Sequence, residues 1–331
     1  MSIMISEMEA TYLKRTAFRL FNEIPKIHIM PSIEYGVYAF YKDKECWLGA
    51  ENETFFLRGL TLLMKNLKNG NHCFEIYQIP YFPSCGVLMP ENLSFENIKE
   101  HINLLACLGI NLILLPICMK SEGEGYPCEM FRNLFSYAAK FGIECAPHFH
   151  VYSTGSSGVL LSAMKHFPGC KKISLQFADN DRKGHKKLSE SLRNNGLTPM
   201  FYCKCANSPY SYPIISNGTP PCHTEEEENH PKFFSTEDSS SDLWNAMCTT
   251  LHSFCDEDCE AIAIPYGVHT AYPAPDWLLP LAILSEFCYR GKASSLADAL
   301  SMRDYIVRHA PKLFEPAPQN RVPYSEHIVS I

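Results

Sequence analysis

Three polar side chains that could bind a ligand or transfer a proton follow the apolar run 173–177. Asp179, Asn180 and Asp181 stand there in succession, and a basic helical segment comes next. Parallel α/β folds use this order of strand, carboxylates and helix to place acids at the carboxyl end of a strand, where they bind ligands. Because Asp and Asn also favour turns and helix N-caps, an ordinary solvated turn is the alternative interpretation.

Two histidines at the end of another predicted strand are further candidates. In the segment APHFHVYSTG, His148 and His150 are two residues apart, so strand alternation directs both side chains to one face. They could bind the hydroxyl groups of a ligand or, together with Asp179, hold the metal of a metal-dependent hydrolase. Core histidines with satisfied hydrogen bonds are also common, and that is the structural alternative.

Aromatic residues and one more histidine mark the remaining strand ends. Tyr202 ends one apolar run and is a candidate ligand contact. Tyr266 ends the last run and is followed by His269 and Tyr272, and Trp277 begins the next helical segment. Aromatic rings after this last strand could form a wall on which a ligand stacks. An ordinary contact between a ring and a neighbouring helix is the alternative.

Thiol and imidazole groups that could bind zinc occur at Cys203, Cys205, Cys222 and His223. Their Cys-x-Cys and Cys-His spacings differ from the Cys-x2-Cys knuckle of common zinc sites. We therefore expect neither a metal nor another cofactor.

Composition restricts the classes of protein that this chain can belong to. Its 331 residues are 46% hydrophobic and 20% charged, enough for one large domain and a small one, with a net charge of −7. Basic patches interleaved with aromatic residues are absent from the sequence, which argues against a nucleic-acid partner. No apolar run reaches the length of a membrane span. The first residues lack the pattern of a secretory signal, and 15 cysteines, an odd count, indicate reduced thiols in a cytoplasm.

A repeat of strand and helix begins near residue 83 and must position these side chains. Strand centres fall at Val87, Leu112, Cys145, Leu175 and Met200, which are 25 to 33 residues apart. This spacing predicts a TIM-like (β/α) barrel, which is incomplete if the strands lost in the polar stretch 206–241 are not replaced. A short strand at Tyr212–Ile215, a strand at 261–266 and two helices, the second capped by Ser294 or Ser295, complete the prediction.

A small α+β domain is predicted before the barrel. It consists of strands at 35–41, 45–48 and 73–79 and a helix at 54–67. We therefore divide the chain into residues 1–80, a barrel at 81–315 with a polar insertion at 206–241, and a C-terminal tail at 316–331. The insertion, with its Glu and Ser runs, is expected to act as a mobile segment or lid.

Several stretches, taken in order, resemble glycoside hydrolase family 20, the β-N-acetylhexosaminidases. GAENETFFLRGLTLLMKNL is similar to a stretch of that family's small domain that precedes the barrel. IPYFPSCGVLMP is similar to the segment with which the family's barrel begins. ENIKEHINLLACLGINLILL, EGYPCEMFRNLFSYAAKFGIECAPHF and PAPDWLLPLAILSEFCY are similar to later strands and helices. The resemblance covers residues 35–205 and 255–310, and it implies a barrel that acts on N-acetylhexosamine glycosides.

The same resemblance implies how such a site would work. In that family the substrate's own N-acetyl group attacks the anomeric carbon, so one carboxylate orients the acetamide and one acid protonates the leaving oxygen. Asp179 matches the first carboxylate, but Asn180 occupies the acid position, and an amide cannot release a proton near neutral pH. Asp181 lies on the same face as Asp179 only if the strand continues. Cys85 replaces the sugar-reading Arg, and Pro90 replaces an Asp.

Glycoside hydrolase family 84 offers a second alignment. It matches that family's Asp-Asp pair to Ala178 and Asp179, and the family's G-F-Y-G motif is absent. Both alignments keep Asp179 and lose its partner. The leading hypothesis is a carbohydrate-active protein that hydrolyses or binds N-acetylhexosamine glycosides with altered catalytic positions. The alternative is an inactive barrel that acts as a binding or structural protein.

Overall fold

The computed structural model describes residues 7–21, 24–30, 33, 35–90, 95–117, 128–151, 157–177, 182–202, 212–215, 240–254, 261–266 and 273–314. Within these ranges, no helix is long and apolar enough to cross a membrane. Cys107, Cys145 and Cys288, which lie in apolar runs, are buried free thiols.

A four-stranded sheet packed against helices forms the first part of the chain. Its strands have the order β1-β3-β2-β4, and β1 pairs with β3 in parallel while the other pairs are antiparallel. The elements are α1 (Glu7–Phe21), β1 (Ile27–Ile29), β2 (Val37–Lys42), β3 (Glu45–Ala50), α2 (Glu53–Lys68) and β4 (Phe74–Gln78). The predicted helix and three strands are present, whereas α1 and β1 were not predicted.

Local chemistry explains these elements. Asp43 and Lys44 both have positive φ, as the two central residues of a tight hairpin turn between β2 and β3 require. The side chain of Asn52 caps α2 by accepting a hydrogen bond from the backbone N–H of Phe55. Gly59 lets α2 approach the sheet closely, because a Cβ there would lie 2.3 Å from Cγ2 of Val37.

Among the described residues, seven strands form the second sheet, which closes into a barrel in the order β10-β11-β5-β6-β7-β8-β9. The strands are β5 (Ser84–Leu88), β6 (Leu112–Pro116), β7 (Glu144–Val151), β8 (Lys172–Phe177), β9 (Thr198–Tyr202), β10 (Tyr212–Ile215) and β11 (Ala261–Pro265). The helices are α3 (Phe95–Cys107), α4 (Cys128–Ala139), α5 (Ser157–Met164), α6 (Arg182–Asn194), α7 (Ser240–Phe254), α8 (Leu278–Arg290) and α9 (Leu296–His309). Six strands run parallel and curl as in an incomplete TIM-like barrel, which agrees with the prediction.

The strand β10 departs from the parallel order. It pairs antiparallel with both β9 and β11 and thereby joins the two ends of the parallel sheet. Only residues 203–211 connect β9 to β10. A parallel crossover needs a dozen or more residues, so a connection this short returns the chain in the opposite direction. The rest of the predicted insertion lies outside the described residues.

The barrel strands separate two apolar clusters, one inside the barrel and one between the strands and the helices. The inner cluster fills the barrel and consists of Leu112, Leu114, Ala146, Met200, Ala261 and Ala263, with Leu88 packed against it. The alternate residues of the same strands belong to a large outer cluster between the strands and the helices. Strand parity therefore shows which side chains point into the barrel.

A buried ion pair connects the first sheet's helix to the barrel. Nη2 of Arg58 in α2 lies 3.2 Å from Oε1 of Glu286 in α8, and both side chains are almost completely buried. The same guanidinium donates to Oε1 of Gln78, to Oγ of Ser285 and to the carbonyl of Leu108. It therefore fixes α2 against α8 and against the turn that follows α3.

The turn that follows α3 is shaped to fit this guanidinium. Gly109 has a φ of 76°, which favours glycine, and its carbonyl accepts a hydrogen bond from the hydroxyl of Tyr289. A Cβ at Gly109 would lie 2.6 Å from Cδ of Arg58. The Tyr289 ring covers the guanidinium at 3.9 Å.

Candidate functional site

The carboxyl ends of the parallel strands meet at one end of the barrel, where ligands of such folds bind. Register places Pro116 of β6 beside His148 of β7, His148 beside Ser174 of β8, and Ser174 beside Met200 of β9. His148 shares its strand parity with Ala146 of the inner cluster. The interior therefore changes from apolar to polar at the level of His148 and Ser174.

The pair of His148 and Ser174 is completely buried, and Nδ1 of His148 lies 2.9 Å from Oγ of Ser174. Burial, assisted by the neighbouring His150, lowers the pKa of His148 to about 3, although a hydrogen bond to Gln176 acts in the opposite direction. The imidazole is therefore neutral at physiological pH. It can hold its neighbours in place but does not supply a positive charge.

One step closer to the carboxyl end, His150 and Gln176 lie in register on neighbouring strands. His150 is exposed and Gln176 is half-buried, in contrast to the pair beneath them. The rings of His148 and His150 meet edge to face with centroids 5.2 Å apart. The two histidines thus lie on one face of β7, as predicted, but only His150 is open to solvent.

The acidic segment begins immediately after β8. Phe177 ends that strand, and α6 begins at Arg182, so Asp179, Asn180 and Asp181 lie between two described elements but outside the described residues. The role of these three side chains therefore stays a prediction.

The candidate aromatic residues that the structure describes lie in two places: Tyr266 and Trp277 contact each other, and Tyr202 lies at the end of β9. Tyr266 is buried, its hydroxyl lies 2.9 Å from Nδ1 of His101 in α3, and burial raises its pKa. The half-buried ring of Trp277 meets Tyr266 edge to face at 6.4 Å. These two rings thus contact each other and a helix. Tyr202 is the last residue of β9, in register with Ile214, and His269 lies outside the described residues.

The two positions that depart from the resembled family differ in their surroundings. Cys85 is buried in the outer cluster, and its backbone N–H donates to Oδ1 of Asn111. Its side chain therefore points away from the barrel interior. Pro90 lies two residues beyond the end of β5 and is half-buried. Neither residue brings a charge to the carboxyl end of the barrel.

Ser174 and Gln176 are site residues that sequence reasoning missed. They have the same parity on β8, directly opposite the two histidines of β7. Alternation within the run KISLQF could have identified them, because its apolar residues occupy the other face. Among the residues that the structure describes, no group of three or more His, Cys, Asp or Glu side chains could hold a metal. The zinc-site candidates named from the sequence, Cys203, Cys205, Cys222 and His223, lie outside those residues.

No family model matches this chain, and none of the curated proteins is similar to it. A GH20 β-N-acetylhexosaminidase from Streptomyces coelicolor A3(2) matches with a TM-score of 0.47 and 11% identity over 60% of either chain. A β-N-acetylhexosaminidase from Bacteroides fragilis matches with a TM-score of 0.41 and 13% identity, covering 54% of this chain and 55% of its own. The chain thus spans little more than half the length of these enzymes, and similarities this low do not assign it an activity.

Proposed function

We propose that the carboxyl end of the barrel binds a carbohydrate of the N-acetylhexosamine type and that the catalytic positions of the resembled hydrolases are altered. The observation that carries the proposal is the change from an apolar interior to a polar mouth. The buried His148–Ser174 pair supports His150 and Gln176 at the open end. The order of the family-like motifs supports the choice of ligand class.

The polar groups at the mouth suit a neutral ligand rich in hydroxyl groups. Imidazole and carboxamide side chains each offer both a donor and an acceptor, as sugar hydroxyls do. His150 and Gln176 would contact the ligand, while the neutral His148 holds the two strands in register beneath them. Tyr202, His269 and Trp277 are proposed as further contacts, and Asp179 as the carboxylate that orients an acetamide.

Hydrolysis is proposed to be absent. Asn180 cannot donate the proton that the leaving oxygen requires, and Asp181 would reach the same face only in an extended backbone. Cys85 points into the outer cluster, so it does not replace an Arg that anchors the sugar. A binding protein derived from a hydrolase fits these substitutions better than an enzyme does.

The experiment that tests this proposal is a calorimetric titration with an N-acetylglucosamine trimer. We expect saturable binding that His150→Ala weakens about two- to tenfold, because losing one hydrogen bond of ordinary strength costs about 0.5–1.5 kcal/mol. His72→Ala is the matched control, because His72 is exposed in the turn before β4. Equal affinities for His150→Ala and the unmodified protein would contradict the assignment of the mouth.

A further inference from the structure

The outer face of the four-stranded sheet carries aromatic side chains that the barrel site does not use. Val37, Ala39 and Leu48 on the inner face belong to the buried core beneath α2. Alternate residues point the other way, and Tyr38, Phe40, Trp47 and Tyr77 among them lie outside both core clusters. The inner face therefore explains the packing of this sheet. On the outer face Tyr38, Phe40 and Trp47 are half-buried and Tyr77 is exposed, as far as the described residues show.

Register arranges these side chains in rows across the sheet. His28, Trp47, Phe40 and Glu75 are successive partners on β1, β3, β2 and β4. Tyr38 and Tyr77 are partners in the next row, with ring centroids 6.3 Å apart. Tyr77 is 59% exposed, so its ring is available to a ligand.

Polar contacts hold the rings in place. The hydroxyl of Tyr38 donates to Oε1 of Glu75 at 2.8 Å, and Nε1 of Trp47 donates to Oε2 of Glu45 at 3.3 Å. His28 stacks on Trp47 with centroids 4.7 Å apart. Each of these contacts places a carboxylate or an imidazole beside an aromatic ring.

The side chains of Met30 and Ile33 form the boundary of this aromatic surface on one side. A Cβ added to Gly49 would lie 3.2 Å from both Met30 and Ile33, so these two side chains cover the end of β3. The rings are thus bounded by side chains at β3, whereas Tyr77 on β4, at the other side of the sheet, is exposed to solvent.

The size of the surface argues against a protein partner. Three inter-strand steps of about 4.8 Å and two rows of side chains give an area on the order of 200–300 Å², whereas a stable protein interface needs about 800 Å² from each partner. The area fits a ligand of a few rings.

The charged residues on this sheet face favour a neutral ligand over a polyanion. Lys42 is the cross-strand partner of Glu45, and Glu75 already accepts the hydroxyl of Tyr38. The face therefore has no excess of cations for a polyanion such as a nucleic acid. Aromatic rings contact the C–H faces of sugars, and the carboxylates beside them can accept hydrogen bonds from sugar hydroxyls.

We propose that this sheet face is a second binding site, specific for a neutral oligosaccharide and separate from the barrel mouth. Trp47, Phe40 and the pair of Tyr38 and Tyr77 form the stacking platform. Glu45 and Glu75 accept hydrogen bonds from the hydroxyl groups at its edge. The site is independent of the barrel mouth, since it lies on a different sheet.

Tryptophan fluorescence tests this site directly, because Trp47 is one of only three tryptophans. An N-acetylglucosamine trimer and cellotriose serve as neutral probes, and a heparin oligosaccharide serves as the anionic one. The titrations use a Trp277→Phe background, which removes the reporter proposed to contact ligand at the barrel mouth. There we expect a saturable change with a neutral trisaccharide, absent when Trp47→Phe is added and present when the control Trp244→Phe is added. Tyr77→Ala should weaken binding two- to tenfold, as the loss of an aromatic contact worth about 0.5–1.5 kcal/mol predicts.

A His150→Ala background separates this site from the barrel mouth. The fluorescence change should persist in that variant, so the sheet site stands even if the mouth binds nothing. Three results would overturn the proposal: no saturable change with either neutral trisaccharide, a change that survives Trp47→Phe, or a preference for the heparin oligosaccharide. Unchanged affinity in Tyr77→Ala would also contradict it.

Discussion

Replacing Arg58 with Ala is expected to lower the free energy of unfolding by about 3–5 kcal/mol, because it removes the nearer and fully buried partner of a buried charge. Glu286 would keep only the partly exposed Arg290, whose Nη1 lies 3.9 Å from its Oε2, and the carbonyl of Leu108 would lose a charged donor. Urea unfolding followed by circular dichroism gives the value. This loss exceeds what an exposed ion pair contributes, because solvent screens exposed charges.

The matched control is Arg303→Ala, which removes the exposed pair of Arg303 and Asp304. We expect this change to cost less than about 1 kcal/mol. Replacing both buried partners, as Arg58→Met with Glu286→Leu, should recover part of the loss, since two apolar groups leave no uncompensated charge. A cost for Arg58→Ala as small as that of the control would show that the buried pair does not join the two parts of the fold.

Stability is expected to fall as the pH drops from about 7.5 to 5, and His148 should account for about 2 kcal/mol of the loss. Its pKa is about 3 in the folded protein, whereas an unfolded histidine titrates near 6.5. Below about pH 6.5 the unfolded chain therefore takes up a proton that the folded protein does not bind. Each pH unit below that value costs about 1.36 kcal/mol until the pKa of the folded state is reached.

Urea unfolding of His148→Gln measures this contribution. The variant is less stable overall, but its free energy of unfolding should vary with pH by about 2 kcal/mol less than that of the unmodified protein. His150→Gln is the control, because that side chain lies on the same strand but is exposed to solvent. Identical pH dependence in His148→Gln and the unmodified protein would contradict the burial of a neutral imidazole beside Ser174 and Gln176.

The barrel could be predicted because its strands are continuous apolar runs of similar spacing. Such runs follow from burial on both faces, and local signals such as the Ser295 side chain, which caps α9, fix the helix boundaries. The antiparallel β10 was foreseen as a strand but not in its direction. The short connection of residues 203–211 already implies that direction, whereas the pairing of β10 with β11 is a property of the closed ring.

Pairs that are distant in sequence could not be predicted. Arg58 and Glu286 are 228 residues apart, and although each is a single charge in an apolar stretch of its helix, neither stretch indicates which residue is its partner. The aromatic sheet face was missed for a related reason, since register across four strands brings its rings together. The two histidines were identified because alternation is local, but the difference in their exposure depends on the neighbouring strand β8.

Hydrolysis of a chromogenic N-acetyl-β-glucosaminide by the unmodified protein and by Asn180→Glu tests the central claim most directly. That claim is a sugar-binding barrel without catalytic machinery. We predict no turnover above background for either protein, because Cys85 faces the outer cluster and the bound sugar lacks the Arg anchor that would place its leaving oxygen against a restored acid. Turnover by the unmodified protein would contradict the claim. So would a gain of about 10²–10⁴-fold in Asn180→Glu, the usual contribution of a general acid in an intact site.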